Sequence, residues 1–284
     1  MKRVALLVVF LVAACASLGS QAHTLSLAYK AGDTYKYRFH ATSKQTASMS
    51  GMSIPITFDM TANETLTVKS VDSSGVADLT ISLGDLTVKT VTGGVTNTTT
   101  GIPSNSTDVK VRSDGTIVSV DGHDVTGGNP LAALSGLGGG FFVTAVLPDH
   151  SVKAGDTWSK TYDQSFPNSE GKFHIVSDSK YVRDESVNGV NAAVVETKST
   201  GSIDMSEGQP SGGMMTGFSV KGTFTTDVTT WIDPNGHRVV KSHSAGHDDV
   251  TINFPTMSSP SENGPIMQGP VTATGDSTTD LNPA

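Results

Sequence analysis

One cysteine, Cys15, stands in the 284 residues, so no intrachain disulfide can form and Cys-rich metal sites are excluded. Catalytic signatures are missing as well. There is no Gly-x-Ser-x-Gly, no His-Glu-x-x-His and no P-loop, and Gly138-Gly139-Gly140 lacks the Lys-Ser/Thr that a phosphate cradle requires. With no nucleophile and base in a recognised pattern, a non-enzymatic protein without a cofactor is expected. Basic runs are absent and the net charge is -8, which argues against nucleic acid as a partner. Aromatic residues make up 6% and charged residues 16%, while Thr, Ser, Val and Gly abound, a composition suited to β-sheet.

The longest apolar run, residues 4–14, falls short of the roughly 20 residues that span a bilayer as a helix. It follows Met1, Lys2 and Arg3 and has the layout of a signal peptide, so an exported protein of the bacterial envelope is expected. Two cleavage readings stand open. Val12-Ala13-Ala14-Cys15 reads as a lipobox, with a leader of residues 1–14 and Cys15 as the lipidated N-terminus. Ser20-Gln21-Ala22 reads as an ordinary small-x-small site, with a leader of residues 1–22. The expected location is accordingly the periplasm or, through a lipid anchor, the outer membrane.

The body of the chain contains a repeat. Lys30-Ala31-Gly32-Asp33-Thr34-Tyr35 returns 123 positions later as Lys153-Ala154-Gly155-Asp156-Thr157-Trp158, and later landmarks recur in the same order. This divides the chain into a first half, 24–148, a second half, 149–254, and a Pro/Ser/Gly-rich tail, 255–284, in which residues 271–281 read as an edge strand. Gly-Asp favours a turn that launches a strand, because Gly tolerates positive φ and Asp bonds its own neighbouring backbone.

Period-two alternation is clear in two long stretches. Ile54, Ile56, Phe58, Met60, Ala62, Leu66 and Val68 share one face, with Glu64 as the single polar interruption and a bend or bulge expected near Asn63-Glu64. Phe218, Val220, Phe224, Val228 and Ile232 share another. Asn129-Pro130-Leu131 opens a short helix that Gly136 closes. The expected fold is all-β: a large, strongly curved antiparallel sheet or incomplete barrel from two related halves, with one short helix.

His237, His243 and His247 with Asp248 and Asp249 form the one histidine cluster, but residues four apart on a strand stand about 13 Å apart, too far to share a metal unless Ala245-Gly246 turns. Met49, Met52, Met214 and Met215 could bind copper(I), yet methionine equally serves as an adaptable apolar surface. No metal site is assigned.

The twin Lys-x-Gly-Asp-Thr-aromatic motif, at Lys30 and Lys153, with Leu147-Pro148 leading into the second copy, resembles a family of uncharacterised bacterial envelope proteins and lipoproteins. The resemblance implies an exported all-β protein and supplies no functional residues. More remotely, a curved sheet with a short covering helix is similar in fold to the periplasmic lipoprotein carriers, which hold acyl chains. One short helix cannot cover so much one-sided strand, so an apolar groove is expected. Its expected ligand is a lipid or other apolar small molecule such as an acyl chain, lined by Ile54, Ile56, Phe58, Met60, Phe218, Val220 and Phe224, with Leu131, Leu134, Phe141 and Phe142 as a lid. The alternative is a structural module that meets another envelope protein.

Overall fold

The computed structural model describes residues 22–49, 51–102, 106–124, 146–165, 172–205, 219–253 and 270–284. The expected helix at 129–137 lies outside them.

Thirteen strands form one antiparallel sheet. They are β1 (Thr34–Met49), β2 (Met52–Val71), β3 (Ala77–Thr92), β4 (Val95–Ile102), β5 (Ser106–Val111), β6 (Ile117–Val120) and β7 (His123–Asp124), then β8 (Thr157–Ser165), β9 (Lys172–Val187), β10 (Val190–Met205), β11 (Ser219–Asp233), β12 (Arg238–Asn253) and β13 (Pro270–Pro283). The order across the sheet is β7-β6-β5-β3-β2-β1-β13-β12-β11-β10-β9-β8, with β4 paired to β3. The path does not close, because no described strand pairs β8 with β7 or β6.

Both copies of the repeated motif build the same local structure. Gly32 and Gly155 take φ of 91° and 101°. Gly32 N donates to Val68 O while Val68 N donates to Asp33 O, and Gly155 and Asp156 clamp Tyr181 in the same way. Each motif is thus a turn that launches a strand and fixes it to the next one.

The stretch read as a tail with an edge strand behaves differently. Residues 270–283 form β13, hydrogen-bonded to β1 on one side and β12 on the other, in the interior of the sheet. The bulge expected near Asn63-Glu64 is present: pairing with β3 shifts between Thr61 and Asn63, where Asp85 takes a positive φ and accepts a hydrogen bond from Asn63 Nδ2 at 2.7 Å.

One end of the sheet carries the main core. Leu66, Val68, Leu79, Ile81, Val109 and Val111 pack with Tyr181, Ala193, Val195, Ile232 and Val239, so side chains of β2, β3 and β5 share one cluster with those of β9 to β12. Leu25, Leu27 and Tyr29 from the segment before β1 enter the same cluster. That segment also ties turns together: Leu27 N donates to Ser113 O after β5, and Ala28 N donates to His237 O after β11. Leu147 N donates to Asp114 O, and Trp158 Nε1 of β8 donates to Val146 O.

Candidate ligand-binding face

Register decides what shares a face, because paired residues on neighbouring antiparallel strands project to the same side. The row through Ile54 runs Ala47, Ala273, Val250, Gly222 and Ile203. The next, through Ile56, runs Gln45, Gly275, Asp248, Phe224, Gly201 and Ile175. Ile54, Ile56, Phe58 and Met60 of β2 and Val220 and Phe224 of β11 therefore lie on one face, separated by β1, β13 and β12. Leu131, Leu134, Phe141, Phe142, Phe218 and Cys15 lie outside the described residues.

These six residues differ in burial. Ile54 and Phe58 are exposed at 40% and 38%, as is Met52 beyond them on the same face at 60%, while Phe224 is buried with Ile175 and Ile203, and Val220 packs on them. The Phe224 ring lies directly over Gly201, whose missing Cβ makes room for it.

Below the apolar rows, toward the main core, the same face turns to hydroxyls. One row reads Ser43, Ser277, Gly246, Thr226, Ser199 and Ser177; the next reads Ala41, Thr279, Ser244, Val228, Thr197 and Ser179. Ser43, Ser177, Ser179, Thr197 and Ser244 are buried, as are Thr230 and Ser242 one row further in. Ser177 pairs with Ser199 and Ser179 with Thr197, each at 2.8 Å, whereas the buried hydroxyls of Ser43 and Thr230 have no partner among the described residues.

Glu64 is the sharpest polar feature. It is fully buried between Tyr37 on β1 and Leu83 on β3, with Ala62 and Leu66 along its own strand, and neither carboxyl oxygen has a hydrogen-bond partner among the described residues. Burial pushes its carboxyl up to about 8, so it is held protonated at neutral pH. Asp248, one row nearer the open end than the hydroxyls, is likewise raised, chiefly by burial. At the β8 end of the sheet, burial raises the Tyr162 phenol to about 12, with Thr116 and Asp114 of the β5–β6 turn as its polar neighbours.

Of the histidine cluster, His243, His247 and Asp249 lie on the opposite, wet face, Asp248 lies on the core-bearing face, and His237 sits in the turn between β11 and β12, bonded to Ser26. β12 runs through Ala245-Gly246 without turning, so His243 and His247 stay in separate rows, bonded to Asp280 at 2.7 Å and Asp276 at 2.8 Å. Among the described residues no three His, Cys, Asp or Glu side chains gather as a metal group. Met49 and Met52 pair at the exposed end of β1 and β2; Met214 and Met215 lie outside the described residues.

The hydroxyl rows and the buried setting of Glu64 escaped sequence reasoning. Ser and Thr in alternation read as a wet face, and only pairing across six strands reveals that they share a buried one. Glu64 did leave a signal, as the one polar residue in the apolar set of β2. No protein-family model and no curated protein matches the chain.

Proposed function

We propose that this is an exported envelope protein that binds an apolar ligand, such as an acyl chain, along the core-bearing face of a strongly bent, incompletely closed sheet. The observation that carries the reading is the change along that face, from a buried core at one end to exposed Met52, Ile54 and Phe58 at the other. Apolar side chains left uncovered in one contiguous row mark binding surfaces.

Bending is supported by the bonds from Leu27 and Ala28. Their acceptors, Ser113 and His237, belong to turns whose nearest strands, β5 and β12, are five steps apart in the sheet. Five steps in a flat sheet cover about 24 Å, whereas adjacent residues are about 3.8 Å apart. Thr116 and Asp114 beside Tyr162 of β8 support the same reading, since they bring the two ends of the strand order together. The two halves as repeats are supported by matching order: β5-β3-β2-β1 and β11-β10-β9-β8 run in the same sense, with β13 and β12 between them.

The test is to purify the mature protein from a bacterial host and extract it for mass spectrometry. Co-purified lipid, or uptake of a fluorescent fatty acid, is expected; recovery of none together with no uptake overturns the reading. One observation favours the alternative of an interaction module. The Thr-rich β4 pairs only with β3 among the described residues and is exposed over nearly its whole length, a surface open to another envelope protein. Crosslinking in the envelope through Val95 separates the two.

Location follows Cys15. If the lipobox is used, Cys15→Ser releases the protein from membranes or blocks its processing, read by fractionation. An N-terminal His23 on a soluble wild type excludes the anchor.

A further inference from the structure

Taking the core-bearing face as a ligand site, we propose that its hydroxyl belt seats the uncharged polar head of an amphiphile: a hydroxyl-, ester- or amide-bearing group attached to the acyl chain. From β1 across to β9 the belt begins where the apolar rows end, while on β2 the same two rows hold Phe58 and Met60. An extended chain lying along Ile54, Ile56 and Phe224 would bring its head group to the row of Ser43, Ser277, Thr226 and Ser199.

Two kinds of observation point to a ligand there. The first is unfilled hydrogen-bonding capacity. Ser43, in that row, is 3% exposed and its hydroxyl has no partner among the described residues; the wholly buried hydroxyl of Thr230, two rows deeper, lacks one as well. The paired hydroxyls are also incomplete: in Ser177–Ser199 and Ser179–Thr197 one O–H is used to make the bond, and the other O–H remains to donate. Buried groups left this way cost stability, and a site built to bind through them recovers that cost when occupied.

The second is the charge of the surroundings. The two hydroxyl rows hold no arginine, and their one lysine, Lys160, stands at the far β8 end beside Ser177. On the side facing the exposed end sits Asp248, half-buried in the row of Gln45 and Phe224, where its carboxyl disfavours an incoming carboxylate or phosphate. Hydroxyls with both donors and acceptors to offer, and no clustered cation, select a neutral head over an anionic one.

The experiment measures displacement of a fluorescent monoacylglycerol from the purified mature protein at pH 8, by monooleoylglycerol and by oleate. Monooleoylglycerol is expected to compete and oleate to compete at least tenfold less well. Ser277→Ala and Ser43→Ala, neighbours in the head-group row and each checked for an unchanged fold by circular dichroism, are each expected to weaken monooleoylglycerol roughly 3-fold to 10-fold, as loss of one hydrogen bond implies. Their binding of a purely apolar dye stays unchanged. Oleate competing as well as or better than monooleoylglycerol overturns the head-group assignment while leaving the apolar site standing, most clearly if Lys160→Met abolishes oleate binding. Equal affinity in wild type and both variants overturns it too. Failure of every probe, the dye included, removes the ligand reading itself.

Discussion

Glu64 shows how one residue can work against the element that carries it. A carboxyl without a partner in a core position costs stability even when protonated, and it must also take up a proton that the unfolded chain has released. Because burial raises its folded value to about 8 from 4.5, the unfolded state binds fewer protons between those limits, and stability falls as pH rises through the window. The slope is about 1.4 kcal/mol per pH unit. Glu64→Leu is expected to stabilise by about 1–3 kcal/mol at pH 4.5, with the gain growing toward pH 8, as read from urea midpoints across the series. Equal pH slopes in the two proteins would refute the buried, partnerless carboxyl. On the wet face the sign of the shift is the same but the consequence differs. The Asp276 hydrogen bond raises His247, so its contribution to stability is full below about 6.5 and is lost as pH rises through the folded value. Asp276→Asn should lower the His247 titration midpoint by NMR. The position of Glu64 as an interruption was legible in the alternation of β2; that the chain buries it was not, since a period of two assigns a face without saying what packs on it.

Among the strands, legibility tracked the contrast between apolar and polar positions. β2 and β11 alternate strongly and were readable, whereas β13 carries Val271, Ala273, Leu281 and the terminal Pro283 on its core-bearing face, and the remaining positions there are Gly275, Ser277 and Thr279. Small hydroxyl residues give no periodic signal, so its central place emerges only from pairing. The same scarcity of bulk lets strands lean on one another's glycines. A Cβ on Gly201 would stand 2.1 Å from the tip of the Phe224 ring, while one on Gly222 would stand 2.4 Å from the Asp249 carbonyl oxygen. A ring can swing aside and a paired backbone cannot. Gly222→Ala is therefore expected to cost more than Gly201→Ala, about 1–3 kcal/mol, in chemical denaturation. Gly201→Ala should instead displace Phe224, visible as a shift in its ring resonances.

For the molecule as a whole, β13 is the strand that makes one sheet of two groups. It pairs Tyr37–Met49 of β1 and Ser242–Asn253 of β12, which have no other link through the sheet among the described residues. A chain ending at residue 253 is expected to lose its single cooperative unfolding transition, measured by circular dichroism melting; an unchanged melt would mean that the core around Leu27 suffices. The placement of β13 also sets a timetable. Tyr37 meets Pro283 across a separation of 246 residues, so β1 waits with an open edge until nearly everything after it has been delivered. Ordering contacts that distant demands closure of a very long loop, which makes folding slow. On the export proposed above, that delay would be useful: the sheet cannot be completed while β13 is still to come, so a chain crossing a membrane as an extended thread would finish it on the far side.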